Sequence, residues 1–122
     1  MNDNRDYYTG YSEKGTYNIS SEVIAMVAAS AACEVEGVSG ISGGGKEAVN
    51  IKTNRKNALK GVKVSFDENV ILLDVNIVVS IDAAIEPTSQ KVQEAVKDAV
   101  EATTGLKVAT VNIHVSGLNI DK

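Results

Sequence analysis

The clearest pattern in the chain lies between residues 70 and 81. Leu73, Val75, Ile77, Val79 and Ile81 share one side, with Asp74, Asn76 and Ser80 on the other. This period of two marks a half-buried strand. Just before it, Val62, Val64 and Phe66 alternate with Lys63 and Ser65, and Asp67-Glu68-Asn69 has the composition of a hairpin turn. After it the period changes. Pro87 fits the first turn of a helix whose buried stripe is Val92, Ala95, Val96, Ala99, Val100 and Thr103. Lys91, Glu94, Lys97, Asp98 and Glu101 stay in water, and Gly105 supplies the C-cap. From Leu106 to Gly117 the alternation returns, with Val111, Ile113 and Val115 set against Thr110, Asn112, His114 and Ser116, and Val108 off register by one.

The N-terminal half is less regular. Residues 1–14 are polar, carry Tyr7, Tyr8 and Tyr11 without a period, and are expected to form a flexible arm. Thr16 to Ile19 alternates as a short strand. Ser20 then caps a helix, and Ile19 and Ile24 have the spacing of a hydrophobic staple. Ile24, Val27, Ala28, Ala31 and Val35 form the stripe of that helix, which Gly37 ends. From Val23 to Cys33 only Ser30 is polar, so the opposite face, Met26, Ala29 and Cys33, is apolar as well. A helix hydrophobic all round is covered on both sides. The second cover is either another subunit or this chain itself, and Met26, Ala29 and Cys33 are the candidate protein interface. Val38 to Ile41 follows as a short apolar connection with strand character, then residues 42–60 as a Gly-rich basic loop. The expected fold is α+β: a single small domain over 15–118, its antiparallel or mixed sheet carrying both helices on one face. Residues 119–122 form a tail.

Composition sharpens this picture in two ways. With no Trp and one Phe among 122 residues, the core must be built from Val, Ile and Ala, which suits strands packed closely on Ala-rich helices. Charge is uneven. The net value is −4, yet Lys46, Lys52, Arg55, Lys56, Lys60 and Lys63 fall in one span whose only acid is Glu47. That span carries +5 and the rest of the chain −9 (six basic and fifteen acidic residues). Lys46, Lys52, Arg55, Lys56 and Lys60 are the candidate anion- or partner-binding residues, against the plainer reading of a solvated lysine-rich loop.

Little chemistry survives inspection. Gly40 to Lys46 fits G-x-x-x-x-G-K, but Glu47 stands where a phosphate-cradling loop needs a hydroxyl for Mg²⁺, and the residues after it are poor helix formers. Gly37-x-x-Gly40 has the spacing of an RNA-clamping G-x-x-G loop, yet it follows a helix and has no strand aromatics beside it. His114 lies on a polar strand face without a nucleophile, and Asp74 and Asp82 show no partner. One cysteine and one histidine all but exclude a Cys/His metal cluster, and the lone Cys33 fits a reducing compartment. No catalytic, cofactor or metal site is expected. The first residues have no apolar stretch of signal-peptide type, and no apolar run approaches a membrane span, so a cytoplasmic protein is expected.

Four stretches together resemble the alkaline-shock-protein family. They are G-x-Y-x-I-S-x-E-V-I-A from Gly15, E-V-E-G-V-S-G-I from Glu34, K-G-V-K-V from Lys60, and the run from Val92 to Val115 with V-Q-x-x-V, T-G-L and V-x-I-x-V in order. The resemblance covers about residues 15–118. It implies a cell-envelope stress protein of Gram-positive type, a soluble α+β domain without catalytic residues. It also implies a homo-oligomer or a small membrane-anchored partner, which would hold the protein at the inner face of the membrane. Two places depart from the family pattern: Ser80 to Ala84 replaces an aromatic-Gly ending, and the Gly-rich basic loop follows Ile41. The leading expectation is a non-enzymatic interaction protein with no small-molecule substrate. The alternative is a module that binds RNA or an anionic surface through residues 46–63.

Overall fold

The computed structural model describes residues 7–12, 15–43, 48–51 and 54–120. Ten elements follow in order: β1 (Tyr7–Ser12), β2 (Gly15–Ser20), α1 (Ser21–Cys33), β3 (Val38–Ser42), β4 (Ala48–Val49), α2 (Arg55–Leu59), β5 (Val62–Asp67), β6 (Val70–Ser80), α3 (Ile85–Thr104) and β7 (Lys107–Asn119).

The sheet is built around β6, the longest apolar alternation in the sequence. On one side β7 runs parallel to it over its whole length, from Val70 beside Lys107 to Ser80 beside Asn119. The other side is shared end to end by two antiparallel strands. β5 pairs with residues 70–75 and β3 with residues 77–79. The Gly61 carbonyl accepts the Asn76 N–H at 2.9 Å and the Gly37 carbonyl accepts the Ser80 N–H at 2.8 Å, which carries the pairing past both strand ends. β4 adds two residues on the far side of β3. The sheet is therefore mixed. A parallel neighbour needs a crossover connection, and the twenty residues of α3 supply it.

α1 and α3 pack against each other over the same face of this sheet. Beneath them Ile71, Leu73, Val75, Ile77 and Val79 are fully buried, together with Ile24, Ala28, Ala29 and Ala32 of α1 and Val92, Val96 and Val100 of α3. Each large aliphatic side chain removed from water in this way stabilises the fold by roughly 1.5–3 kcal/mol. The off-register Val108 has a structural cause: Ile71 faces Val108 and Leu72 faces Thr110, so Ala109 is the extra residue of a bulge. The Ser20 hydroxyl accepts the Val23 N–H at 3.0 Å, and Gly105 closes α3 at φ 75. The expected fold class holds.

Several details differ from the sequence reading. Tyr7–Ser12, expected within a flexible arm, pairs with Gly15–Ser20 as an antiparallel hairpin separate from the main sheet. A missing apolar period suggests an arm, but a two-stranded ladder needs only main-chain bonds and good strand formers, and Tyr and Thr are among the best. Residues 42–60 are not a loop throughout, because β4 pairs with β3 and Asn54 caps α2 through its side chain, accepting the Asn57 N–H at 3.3 Å. α1 ends at Cys33, and Gly37 sits after it in a turn at φ 100, its Cα facing Ala83 and Thr88. α1 buries Ile24, Ala25, Ala28, Ala29 and Ala32, a face rotated from the expected stripe. In α3 the last buried residue is Thr104, not Thr103, since the Thr104 hydroxyl turns inward to donate to the Val100 carbonyl at 2.8 Å. Ile81 leaves the buried face where β6 ends, and β7 runs two residues beyond Gly117 into the expected tail.

Candidate interaction surface

α1 is apolar around its circumference, and the sheet and α3 cover only part of it. The arc left outside carries Met26, Val27, Ser30, Ala31 and Glu34. With Ala99 of α3 these line a shallow open groove of about 330 Å³. Its floor is apolar (Met26, Val27, Ala31 and Ala99), and Ser30 and Glu34 place polar groups at its margin.

The three interface candidates separate here. Met26 lines the groove and is half-buried. Ala29 belongs to the core and is fully buried within the chain, so it offers nothing to a partner. Cys33 is half-buried and packs against the core cluster at the C-terminal end of α1. Sequence reasoning missed Val27 and Ala31, which it placed in the buried stripe, and Ala99, which it placed in that of α3. An all-apolar helix gives no polar residue to fix its rotation, and the Ala-rich side turned toward the sheet.

The basic candidates divide as well. Arg55 and Lys56 lie on α2 and Lys60 at its C-cap, all exposed, while Lys46 and Lys52 fall outside the described residues. Lys63 is exposed on β5. Among the described residues the basic side chains make no ion pair with a carboxylate apart from His114 with Asp74.

That pair occupies the sheet face opposite the helices. Asp74 Oδ1 accepts from Asn112 Nδ2 at 3.0 Å and lies 3.3 Å from His114 Nε2. Asp74 and His114, expected to stand alone, are thus partners across β6 and β7. The Asn112 amide, and after it the His114 ring, hold the Asp74 carboxyl below its ordinary range. Both groups are well exposed, and no nucleophile bonds to His114 among the described residues. On the same face Val78 is buried between Gly40 and Gly117, which the alternation did not foretell.

The outer edge of β7 is the last feature. α3 reaches over it twice: Glu101 Oε2 accepts the Val108 N–H at 2.9 Å, and Gln93 Nε2 donates to the Val111 carbonyl at 2.9 Å. Past these bonds, Ile81, Ile85, Leu118 and Ile120 are exposed where β6 and β7 end and α3 begins, Ile120 by 72%. Among the described residues no group of His, Cys, Asp and Glu could hold a metal ion, and no helix is long and apolar enough to cross a membrane.

Fold and surface together define a small α+β domain with an apolar groove and an exposed strand edge among its described residues. The chain belongs to the alkaline-shock (ASP-23) family, described as having a cell envelope-related function, which it matches over residues 9–120. It is 36% identical to YloU of Bacillus subtilis over 108 residues, covering 87% of this chain and 90% of that protein. With YqhY of the same organism it shares 34% over 107 residues, covering 88% and 79%. A solved zinc form of the MamM CTD superposes with a TM-score of 0.52 at 18% identity, over 84% of this chain and 90% of that one. At that identity the likeness speaks for the fold alone.

Proposed function

We propose that the protein is a non-enzymatic interaction domain of the cell envelope, one that self-associates and docks a membrane-anchored partner protein at the inner face of the membrane. The observation that carries the reading is the groove between α1 and α3, whose half-buried apolar lining is Met26, Val27, Ala31 and Ala99. Apolar clefts rimmed by polar groups are the usual seats of partner helices. Family membership supplies the envelope, and the exposed Asp74–His114 pair, lacking a nucleophile, is consistent with a role in binding rather than catalysis.

The test is affinity purification from a solubilised envelope fraction, with wild type and Met26→Glu in parallel and circular dichroism to confirm that both fold. Wild type is expected to retain a defined membrane protein that the variant loses, because a carboxylate in the groove stays unpaired when the partner docks. Equal retention, or none by either, contradicts the reading.

A second reading rests on Arg55, Lys56 and Lys60, exposed together around one short helix. It assigns them to an anionic surface or RNA, and it requires retention that weakens steeply with salt.

A further inference from the structure

We infer that the free edge of β7 pairs antiparallel with β7 of a second copy, joining two sheets into one and leaving the α1–α3 groove open for a different partner. The inference deepens the reading of self-association and rests on it.

Among the described residues β7 pairs with β6 alone, so the regular run over residues 110–115 has no strand on its outer side, where Gln93 takes only the Val111 carbonyl. Edges that stay alone are normally blunted by charges, proline or shortness. Bulges at Ala109 and Ser116 and the two α3 side chains shield its ends, but the run between them is unprotected: from Val108 to Asn119 there is neither Lys, Arg, Asp, Glu nor Pro, and His114 is the only titratable group. The bonds from Glu101 to the Val108 N–H and from Gln93 to the Val111 carbonyl show that both backbone groups point away from β6. The period of two carries that outward direction to Ile113 and Val115. The Val111 carbonyl keeps a second lone pair for another donor.

The edge is also complementary to itself. A two-fold axis through Ile113 sets Val111 opposite Val115 and Asn112 opposite His114, all within the stretch between the two bulges of β7. Apolar then meets apolar and polar meets polar, and no like charges face each other. An axis normal to the sheet keeps the helices of both copies on one side. Val111, Ile113 and Val115, only half-buried at the sheet margin, gain cover there. Along the border α3 presents Gln93, Lys97 and Glu101, residues of both signs, so the facing helices are not set against each other by charge.

Sedimentation velocity on wild type, Ile113→Lys and Met26→Glu tests this, with oxidative crosslinking of Ile113→Cys and, as control, Ser65→Cys, both in a Cys33→Ser background. Wild type and Met26→Glu are expected to run as dimers. Ile113→Lys is expected to lose the dimer while keeping its circular dichroism, because two ammonium groups would meet on the axis. Ile113→Cys should give a covalent dimer and Ser65→Cys none; if Ile113→Lys fails to fold, this crosslink decides. A dimeric wild type with a dimeric Ile113→Lys and no crosslink at position 113 overturns the edge pairing while self-association stands. A wild type that is monomeric at high concentration overturns both.

Discussion

Glu68 holds its backbone at φ 58 in the turn between β5 and β6, the only non-glycine residue at positive φ among those described. A side chain with a Cβ carries roughly 1–2 kcal/mol of strain there, against which glycine's greater freedom in the unfolded chain must be set. Glu68→Gly is therefore expected to stabilise the protein by about 0.5–1 kcal/mol, read as a rise in melting temperature of about 2–4 °C. No change or a fall would contradict it. Asp74 bears on acid stability. Its carboxyl titrates lower in the folded chain than in the unfolded one, where it stays near 3.8, so the folded state holds fewer protons in acid. The stabilisation is complete above the unfolded value and is lost as pH falls through the folded value. Since the Asn112 amide is the larger cause, Asn112→Ala should raise the Asp74 pKa toward its ordinary value in an NMR titration of the carboxyl, and an unmoved titration would show that the bond does not form in solution. Glu68 could be seen in the sequence as part of a turn. The partners of Asp74 could not, because they lie on a strand thirty-eight residues away whose pairing with β6 is settled by the whole sheet.

At the scale of elements, legibility followed contrast. α3 sets Val92, Val96 and Val100 against Lys91, Glu94, Lys97, Asp98 and Glu101, and those three valines are buried as expected. β6 was legible for the same reason up to Ser80. α1 offered no such contrast, so its existence and cap were readable and its rotation was not, which is why Ala29 passed for surface and Val27 for core. β1 and α2 were missed because one is a polar ladder and the other a single capped turn. The packing of the region after β3 rests on a glycine that hydrophobic patterning passes over, although it stands in the K-G-V-K-V stretch of the family resemblance. Gly61 follows α2, and a Cβ there would run into the Ser42 carbonyl and the Ile41 side chain of β3, while its own carbonyl receives the Asn76 N–H. Gly61→Ala is accordingly expected to cost about 1–3 kcal/mol, since the obstacle is backbone that cannot rotate away. Denaturation showing an unchanged midpoint would mean that β3 and β5 do not meet in this way.

For the whole molecule, the sequence carried the fold class and the family but not the topology. Nothing in the alternation of β7 says that it lies parallel to β6, or that β3 and β5 share the opposite edge. That arrangement leaves the outer edge of β7 and the groove between α1 and α3 on different parts of the surface, and those two places are where a second copy and a partner are proposed to bind. The groove is the more central claim. The most direct measurement is site-specific photocrosslinking in cells, with a photoreactive amino acid at position 26 in the groove and, as control, at position 65 on the sheet face away from the helices. The account predicts one discrete protein adduct from position 26, found with the envelope, and none from position 65. Adducts of the same pattern from both positions, or none from position 26, would contradict it.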